Sequence, residues 1–379
     1  MRKACKRREG FAKVFVKPMG ALKKALIRGL KVEKTDLRSL NYIELESFVA
    51  GTGQPRFRTD QLFSWLHEKC AGSFDEMTNL PAALRQKLSE SCELVTLEKV
   101  ECFESALDGT RKYLFRLNDD TLRNNVIESV FMRYKHGNSV CISSQVGCRM
   151  GCSFCASTIG GLERNLEPSE MLEQVYRIKE DTGERISNVV IMGTGEPMDN
   201  LMNVLRFLEL ISSEKGLNIS RRNITVSSCG LCDKIRAFAD TRPDATLAIS
   251  LHAPNDALRQ KLMPVAQSYS VAEVVAAADH YFEKTGRRIT YEYSLIDGVN
   301  DSPECAKELS ALLKGRNCHV NLIPVNPVKE RDYSPATHGN VLNFKNILEK
   351  NSINATIRRE MGSDINAACG QLRKSYAAK

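Results

Sequence analysis

Cys148-Arg149-Met150-Gly151-Cys152-Ser153-Phe154-Cys155 places three thiols within eight residues, at the spacing C-x3-C-x2-C. Thiolates this close can converge on one metal centre, but they supply only three ligands. A tetrahedral structural zinc site would want a fourth ligand at comparable spacing. A cubane iron–sulfur cluster held by three thiolates keeps one iron open to an outside ligand, which suits binding and reducing a small molecule. Isolated cysteines are usually buried as small hydrophobes. A triplet in one turn favours the metal.

Beyond the triplet the periodicity alternates between 3.6 and 2. It predicts helices near 168–182, 199–212, 255–262, 270–285, 301–315 and 340–350, and strands near 188–193, 223–228, 245–251, 288–296, 318–324 and 354–358. Five or six βα units imply an α/β fold with a parallel sheet, open or closed into a barrel. Ligands in such sheets sit at the C-terminal ends of the strands. Upstream, residues from about 93 to 145 have a period of two, with strands at Tyr113–Leu117, Val126–Phe131 and Ser139–Ile142 and turns at Asp108-Gly109 and His136-Gly137. Residues 35–92 read as a small helical module. Asp36 and Ser39 are its candidate caps, Leu40, Ile43, Leu45 and Phe48 an apolar stripe, and Pro81 a helix start. Phe63 and Trp65 are expected in its core.

The 379 residues are 42% hydrophobic and 26% charged, an ordinary globular composition. No apolar run reaches the roughly 20 residues of a membrane-spanning helix, and no apolar signal-peptide core follows the basic N-terminus. Thirteen cysteines in a long chain without an export signal point to a reducing cytoplasm, with metal or catalytic roles for some. The net charge of +8 is concentrated at one end: residues 1–34 carry twelve Lys or Arg against Glu9 and Glu33. The rest of the chain is nearly neutral. A disordered arm, or a functional start at Met19, accounts for this segment ahead of a phosphate-touching arm or an organellar presequence.

The strand ends carry the candidate site. Val189–Met192 runs into Gly193-Thr194-Gly195-Glu196-Pro197, where two glycines admit a ligand and Glu196 can accept from an amino group. The next strands end in Ser227-Ser228-Cys229-Gly230 and in Ser250-Leu251-His252-Ala253-Pro254-Asn255, and a later one leads to Asn326. Cys141 ends the strand that feeds the triplet, and Cys369 stands near the C-terminus. Each alone reads as an inert thiol. Cys5, Cys70, Cys92, Cys102, Cys229, Cys232, Cys305 and Cys318 read as packing or surface residues, with Cys229-x2-Cys232 a weak second metal pair.

The triplet before Gly-x-Gly-Glu-Pro resembles radical S-adenosylmethionine enzymes. The strings Cys141-Ile-Ser-Ser-Gln-Val-Gly-Cys148, Ser250-Leu-His-Ala-Pro-Asn255 and Asp364-Ile-Asn-Ala-Ala-Cys-Gly-Gln-Leu372 resemble the RlmN-type adenine C2 methyltransferases, from about Thr35 onward. Thr194 departs from the Met that many members carry between the two glycines. The resemblance implies a partial (βα)6 barrel over 137–379, a helix-hairpin-helix-like RNA-binding domain over 35–92 and a β extension over 93–136. It implies a [4Fe-4S] cluster on Cys148, Cys152 and Cys155. S-adenosylmethionine would bind among Gly195, Glu196, Ser227, Ser250, Leu251, His252 and Asn326, two molecules per turnover.

In that family C2 of adenine, electron-poor and without a lone pair, resists ordinary methyl transfer. The resemblance makes Cys369 the methyl carrier, Glu128 the acceptor of the C2 proton and Cys141 the thiol that resolves a protein–RNA crosslink through a transient disulfide. The substrates it implies are an adenosine in the peptidyl-transferase centre of 23S rRNA and the adenosine next to the anticodon in certain tRNAs. The base would be flipped out and the RNA recognised mainly by shape. A flavodoxin or ferredoxin would supply the electron, no membrane is involved, and a monomer is expected. Two alternatives stand beside it: the sibling group that methylates C8 of the same rRNA adenosine, and a non-enzymatic zinc-stabilised RNA-binding protein.

Overall fold

The computed structural model describes residues 34–119, 121–122, 125–368 and 370–372. The basic arm up to residue 33 and Cys369 lie outside the described residues. No described helix is long and apolar enough to cross a membrane.

One sheet of ten strands follows the chain in strict order. β1 (Glu98–Glu104), β2 (Arg111–Arg116) and β3 (Val126–Met132) are antiparallel, and β3 joins β4 (Asn138–Cys141) antiparallel. From β4 onward all pairs are parallel: β5 (Ile186–Ile191), β6 (Ile224–Ser228), β7 (Thr246–Ser250), β8 (Ile289–Leu295), β9 (Cys318–Pro324) and β10 (Ala355–Ile357). The outermost strands β1 and β10 do not pair with each other, so the parallel arc stays open. β1 is the strand that the sequence does not single out. Its Glu-Lys-Val-Glu-Cys-Phe-Glu is half charged, as suits an edge strand that must not template further pairing. A short hairpin, Gln145–Gly147 with Leu162–Asn165, brackets the cysteine triplet.

Three helices form the N-terminal module: α1 (Tyr42–Gly51), α2 (Phe57–His67) and α3 (Ala82–Ser91). Asn41, not Ser39, caps α1 in a capping box with Glu44, while Asp36 caps only the single turn Leu37–Ser39. Ile43 is 68% exposed, against the expected stripe. Leu45 and Val49, one turn apart, face the core, and a residue two before Leu45 points the other way. Phe63 is buried as expected, and Trp65 is half-buried with the Lys69 ammonium over its ring.

Crossover helices α4 (Pro168–Thr182), α5 (Leu201–Ile211), α6 (Cys232–Asp240), α7 (Asp256–Leu262), α8 (Val271–Thr285), α9 (Pro303–Leu313) and α10 (His338–Lys350) follow; all but α6, which the sequence reading does not single out, fall where the 3.6-residue period places them. Arg38, at the root of the helical module, is fully buried and pairs with Glu173 of α4. It also donates to the carbonyls of Ala71 and Val95, and Glu173 accepts from Leu97 N–H at 3.1 Å. Burial pushes the Glu173 carboxyl up, against the pull of Arg38 and Arg177. Arg38→Met removes the buried partner of that carboxylate and leaves it the 3.2 Å pair with Arg177. It is expected to destabilise the protein by about 3 kcal/mol in urea unfolding, whereas Arg56→Met, at an exposed pair, should change stability by less than about 1 kcal/mol.

Candidate active site

Between the short hairpin strands the chain turns sharply enough to present all three thiols on one side. Gly147 has φ +76°, and a Cβ there would lie 1.9 Å from the Gly161 carbonyl oxygen, so only glycine fits. The turn is anchored by Ser153 N–H on Leu262 O at 2.9 Å and Ala156 N–H on Gly370 O at 2.8 Å. Cys148, Cys152 and Cys155 line one cavity together with Gly195, Glu196, Ser227, Ser250, His252 and Asn326, enclosing about 970 Å³ including its open mouth. Six of the seven strand-end residues singled out from sequence therefore meet the triplet. The seventh, Leu251, has its side chain in the core.

Burial pushes the Cys148 thiol up to about 12, and the nearby Cys155, Glu196 and Asp199 add to the effect. Cys152 is driven well above its ordinary value by burial and by its two sister thiols. Bare, these groups stay neutral at physiological pH, so only a positive centre in their midst would hold them as thiolates. Among the described residues no three Cys, His, Asp or Glu side chains are grouped to hold a metal ion.

Glu196 is held by its neighbours. Its two carboxylate oxygens accept from Met198 N–H at 3.0 Å and from Cys229 N–H at 2.7 Å, while burial raises its pKa. Each oxygen keeps acceptor capacity for a ligand's amino group. Gly195 adopts φ +109°, with the Gln145 side chain 2.6 Å from where a Cβ would stand, and the Gln145 amide oxygen accepts from Glu196 N–H at 2.8 Å. Thr194 is buried, and its carbonyl takes the Ser144 and Gln145 N–H groups, a structural duty.

His252 sits at φ +57°, edge-on to Phe154 at 4.9 Å. Its Nδ1 accepts from Ser294 N–H at 2.9 Å, so the neutral ring carries its proton on Nε2. Burial holds its pKa down to about 3. Asn300 fixes the backbone here by donating to the carbonyls of His252 and Ser294, and buried Arg259 ties the β6 and β7 ends together through the carbonyls of Cys229 and Leu251.

The sequence reading missed Glu292, Ser294, Cys229 and Arg358 on the same wall. Strand alternation carries the signal for the first two. In β8, Tyr291, Tyr293 and Leu295 share one face, and Thr290, Glu292 and Ser294 the other. Ser250 pairs in register with Glu292. The Cys229-x2-Cys232 metal pair is not formed. Cys229 faces the cavity, whereas Cys232 opens α6 in the main core with its Sγ toward Gly230 O.

Cys141 and Glu128 lie on adjacent strands. Val130 pairs with Cys141, so Glu128, two residues away on the same face, is its diagonal neighbour. Cys141 is buried with Val130, Met132, Met361, Ala367 and Leu372. Glu128 is also buried, with Lys112 Nζ 3.7 Å from its Oε1. The residues either side of Cys369 are fixed from several directions. Ser157 Oγ donates to Leu372 O at 2.9 Å, Lys112 Nζ to Asn366 O at 3.4 Å, and Gln371 Nε2 to Pro327 O at 3.0 Å. Gly370 itself lines the cavity. The segment that carries Cys369 thus passes the triplet on one side and Cys141 on the other.

Residues 35–94 match the ribosomal RNA large subunit methyltransferase N-terminal domain, and 142–309 the radical SAM superfamily. A probable dual-specificity RNA methyltransferase RlmN of Lachnoclostridium phytofermentans is 62% identical, over 92% of this chain and 96% of the relative. The chain belongs to the RlmN family. An RlmN of Clostridium perfringens is 52% identical over 88% of this chain and 95% of its own length. The crystal structure of a radical SAM methyltransferase from Sphaerobacter thermophilus superposes with a TM-score of 0.86 at 43% identity, covering 90% of this chain and all of that one. The α/β fold and the radical SAM methyltransferase class expected from the sequence are those of the family.

Proposed function

We propose that this protein methylates C2 of an adenosine in the peptidyl-transferase centre of 23S rRNA and of the adenosine 3′ of the anticodon in certain tRNAs, in the cytoplasm. The observation that carries this reading is the single cavity shared by the triplet, the polar strand ends and Gly370. The donor set fits a [4Fe-4S] cluster. Three cysteines lining one cavity, Cys148 buried and Cys152 and Cys155 half-buried, suit a polynuclear centre in which each thiolate binds its own iron. Glu196, with spare acceptor capacity beside them, fits the amino group of S-adenosylmethionine. When bound, the cluster and S-adenosylmethionine supply reductive cleavage to a carbon radical.

The chain's own residues do the rest. Gly195 lets the cofactor approach the backbone, Ser227, Ser250 and Asn326 offer polar contacts, and His252 presents a fixed Nε2–H. Cys369 carries the methyl group. Glu128, kept in place by Lys112, takes the proton that leaves C2, and Cys141 attacks the Cys369 sulfur, forming a transient disulfide as the sulfur–carbon bond to the product breaks. Identity with relatives named RlmN over nearly the whole chain favours C2 over C8.

The test is nucleoside mass spectrometry of rRNA and tRNA from a strain lacking the gene. Loss of 2-methyladenosine from both RNAs is expected. Unchanged 2-methyladenosine with loss of 8-methyladenosine would overturn the position, and a colourless, zinc-only protein after anaerobic purification would overturn the chemistry.

A further inference from the structure

A second cavity lies on the same inner face of the sheet, toward the N-terminal ends of its strands. Tyr134, His136, Asn188, Arg222, Thr225 and Arg358 line it, around about 640 Å³ including its mouth. Asn188 and Val190 begin the row on β5 that leads to Met192 in the first cavity, Thr225 stands one step before Ser227 on β6, and Arg358 lines both cavities. The two hollows therefore adjoin.

Its chemistry is distinctive. Two arginines and no carboxylate line it. The Arg222 guanidinium takes part in no hydrogen bond or ion pair among the described residues, and Asn188 Nδ2 is a buried donor without an acceptor. Tyr134 and His136 stack at the rim, with centroids 5.1 Å apart and planes 15° from parallel. An exposed guanidinium with no protein partner among the described residues, an aromatic platform and an orphaned amide donor together match a nucleotide.

We propose that this cavity binds the RNA nucleotide adjoining the one whose base enters the first cavity. Its phosphate lies on Arg222, its base against the Tyr134–His136 pair, and Asn188 donates to an acceptor on the base edge. The inference rests on the reading that RNA is the substrate. An enzyme that extracts one base gains selectivity from its contacts to the flanking nucleotide.

The experiment measures fluorescence anisotropy of full-length protein with a short RNA hairpin carrying a loop adenosine, across a salt series. Arg222→Ala is expected to bind about tenfold more weakly at low salt, with a log–log salt slope shallower by about 0.7, the share of one single-strand phosphate. Arg222→Lys should restore the slope. Asn188→Ala should weaken binding about fivefold at unchanged slope. Adenosine 5′-monophosphate should compete with the hairpin better than equimolar inorganic phosphate. Wild-type affinity and slope in both alanine variants, with unaltered thermal unfolding, would overturn the proposal, and equal competition by inorganic phosphate would reduce the cavity to a simple anion site and overturn the nucleotide assignment. Wild-type protein that binds the hairpin yet methylates no RNA would sink the functional reading alone, leaving the subsite to be decided by the slopes.

Discussion

Cys152→Ala protein, purified anaerobically, is expected to be colourless and to form no 5′-deoxyadenosine from S-adenosylmethionine, while keeping its fold. Cys152 lies between the other two thiols, so its loss leaves two ligands at a centre that needs three. The backbone of the turn does not depend on that sulfur. Ser153 and Ala156 are tied to Leu262 and Gly370 through main-chain bonds, and removing one small side chain from a cavity wall should cost no more than about 1 kcal/mol. Iron analysis and electron paramagnetic resonance read the first expectation, thermal unfolding the second. Cys232→Ala is the matched control. Its sulfur packs in the core away from the cavity, and its iron content should equal that of the wild type. A brown, cluster-bearing Cys152→Ala protein would remove the triplet from cofactor binding.

The second large effect is expected for Cys141→Ala. Without the thiol proposed to attack the Cys369 sulfur and release the product carbon, the crosslinked intermediate has no exit. The purified variant should carry covalently bound RNA, seen as a nuclease-sensitive shift in gel mobility and as excess absorbance at the nucleic-acid wavelength. Cys141 fills a small apolar cluster with Val130, Met132 and Leu372, so the alanine leaves only a minor void. Pairing the change with Cys369→Ala should abolish the adduct, because no carrier then forms the bond. A fully active, RNA-free Cys141→Ala protein would take Cys141 out of the reaction.

Much of this was legible in the residues because each signal was local. The triplet, the Gly-x-Gly-Glu-Pro turn and the alternating βα periods are patterns over a few positions, and six strand-end residues reached the same cavity because parallel strands all end on one side. What escaped was set by pairing between distant segments. Alternation along β8 sets Glu292 and Ser294 on one face, but which face meets the cavity is decided only once β8 is laid beside β7, and Arg358 joins them only once β10 is added to the row. Cys229 packs as expected, against Leu262, Met263 and Val265, but it also borders the hollow because it follows directly on Ser228, the last residue of β6. Ser39 lost the helix cap to Asn41 because two residues decide where a helix begins, a precision that propensity does not offer.

The fastening of the C-terminal segment also bears on the order of events during synthesis. Asp108 accepts from Gly362 N–H and Asp364 from Ala106 N–H, each at 3.0 Å, so a hairpin made early by the ribosome is the berth for residues made more than 250 positions later. The cysteine triplet leaves the exit tunnel long before the segment that lines its cavity. Until that late stretch docks, the nascent chain has a place for a cluster but neither the wall at Gly370 nor the carrier beside it. On the proposed role of Cys369 as methyl carrier, methyl transfer has to wait until translation is nearly done.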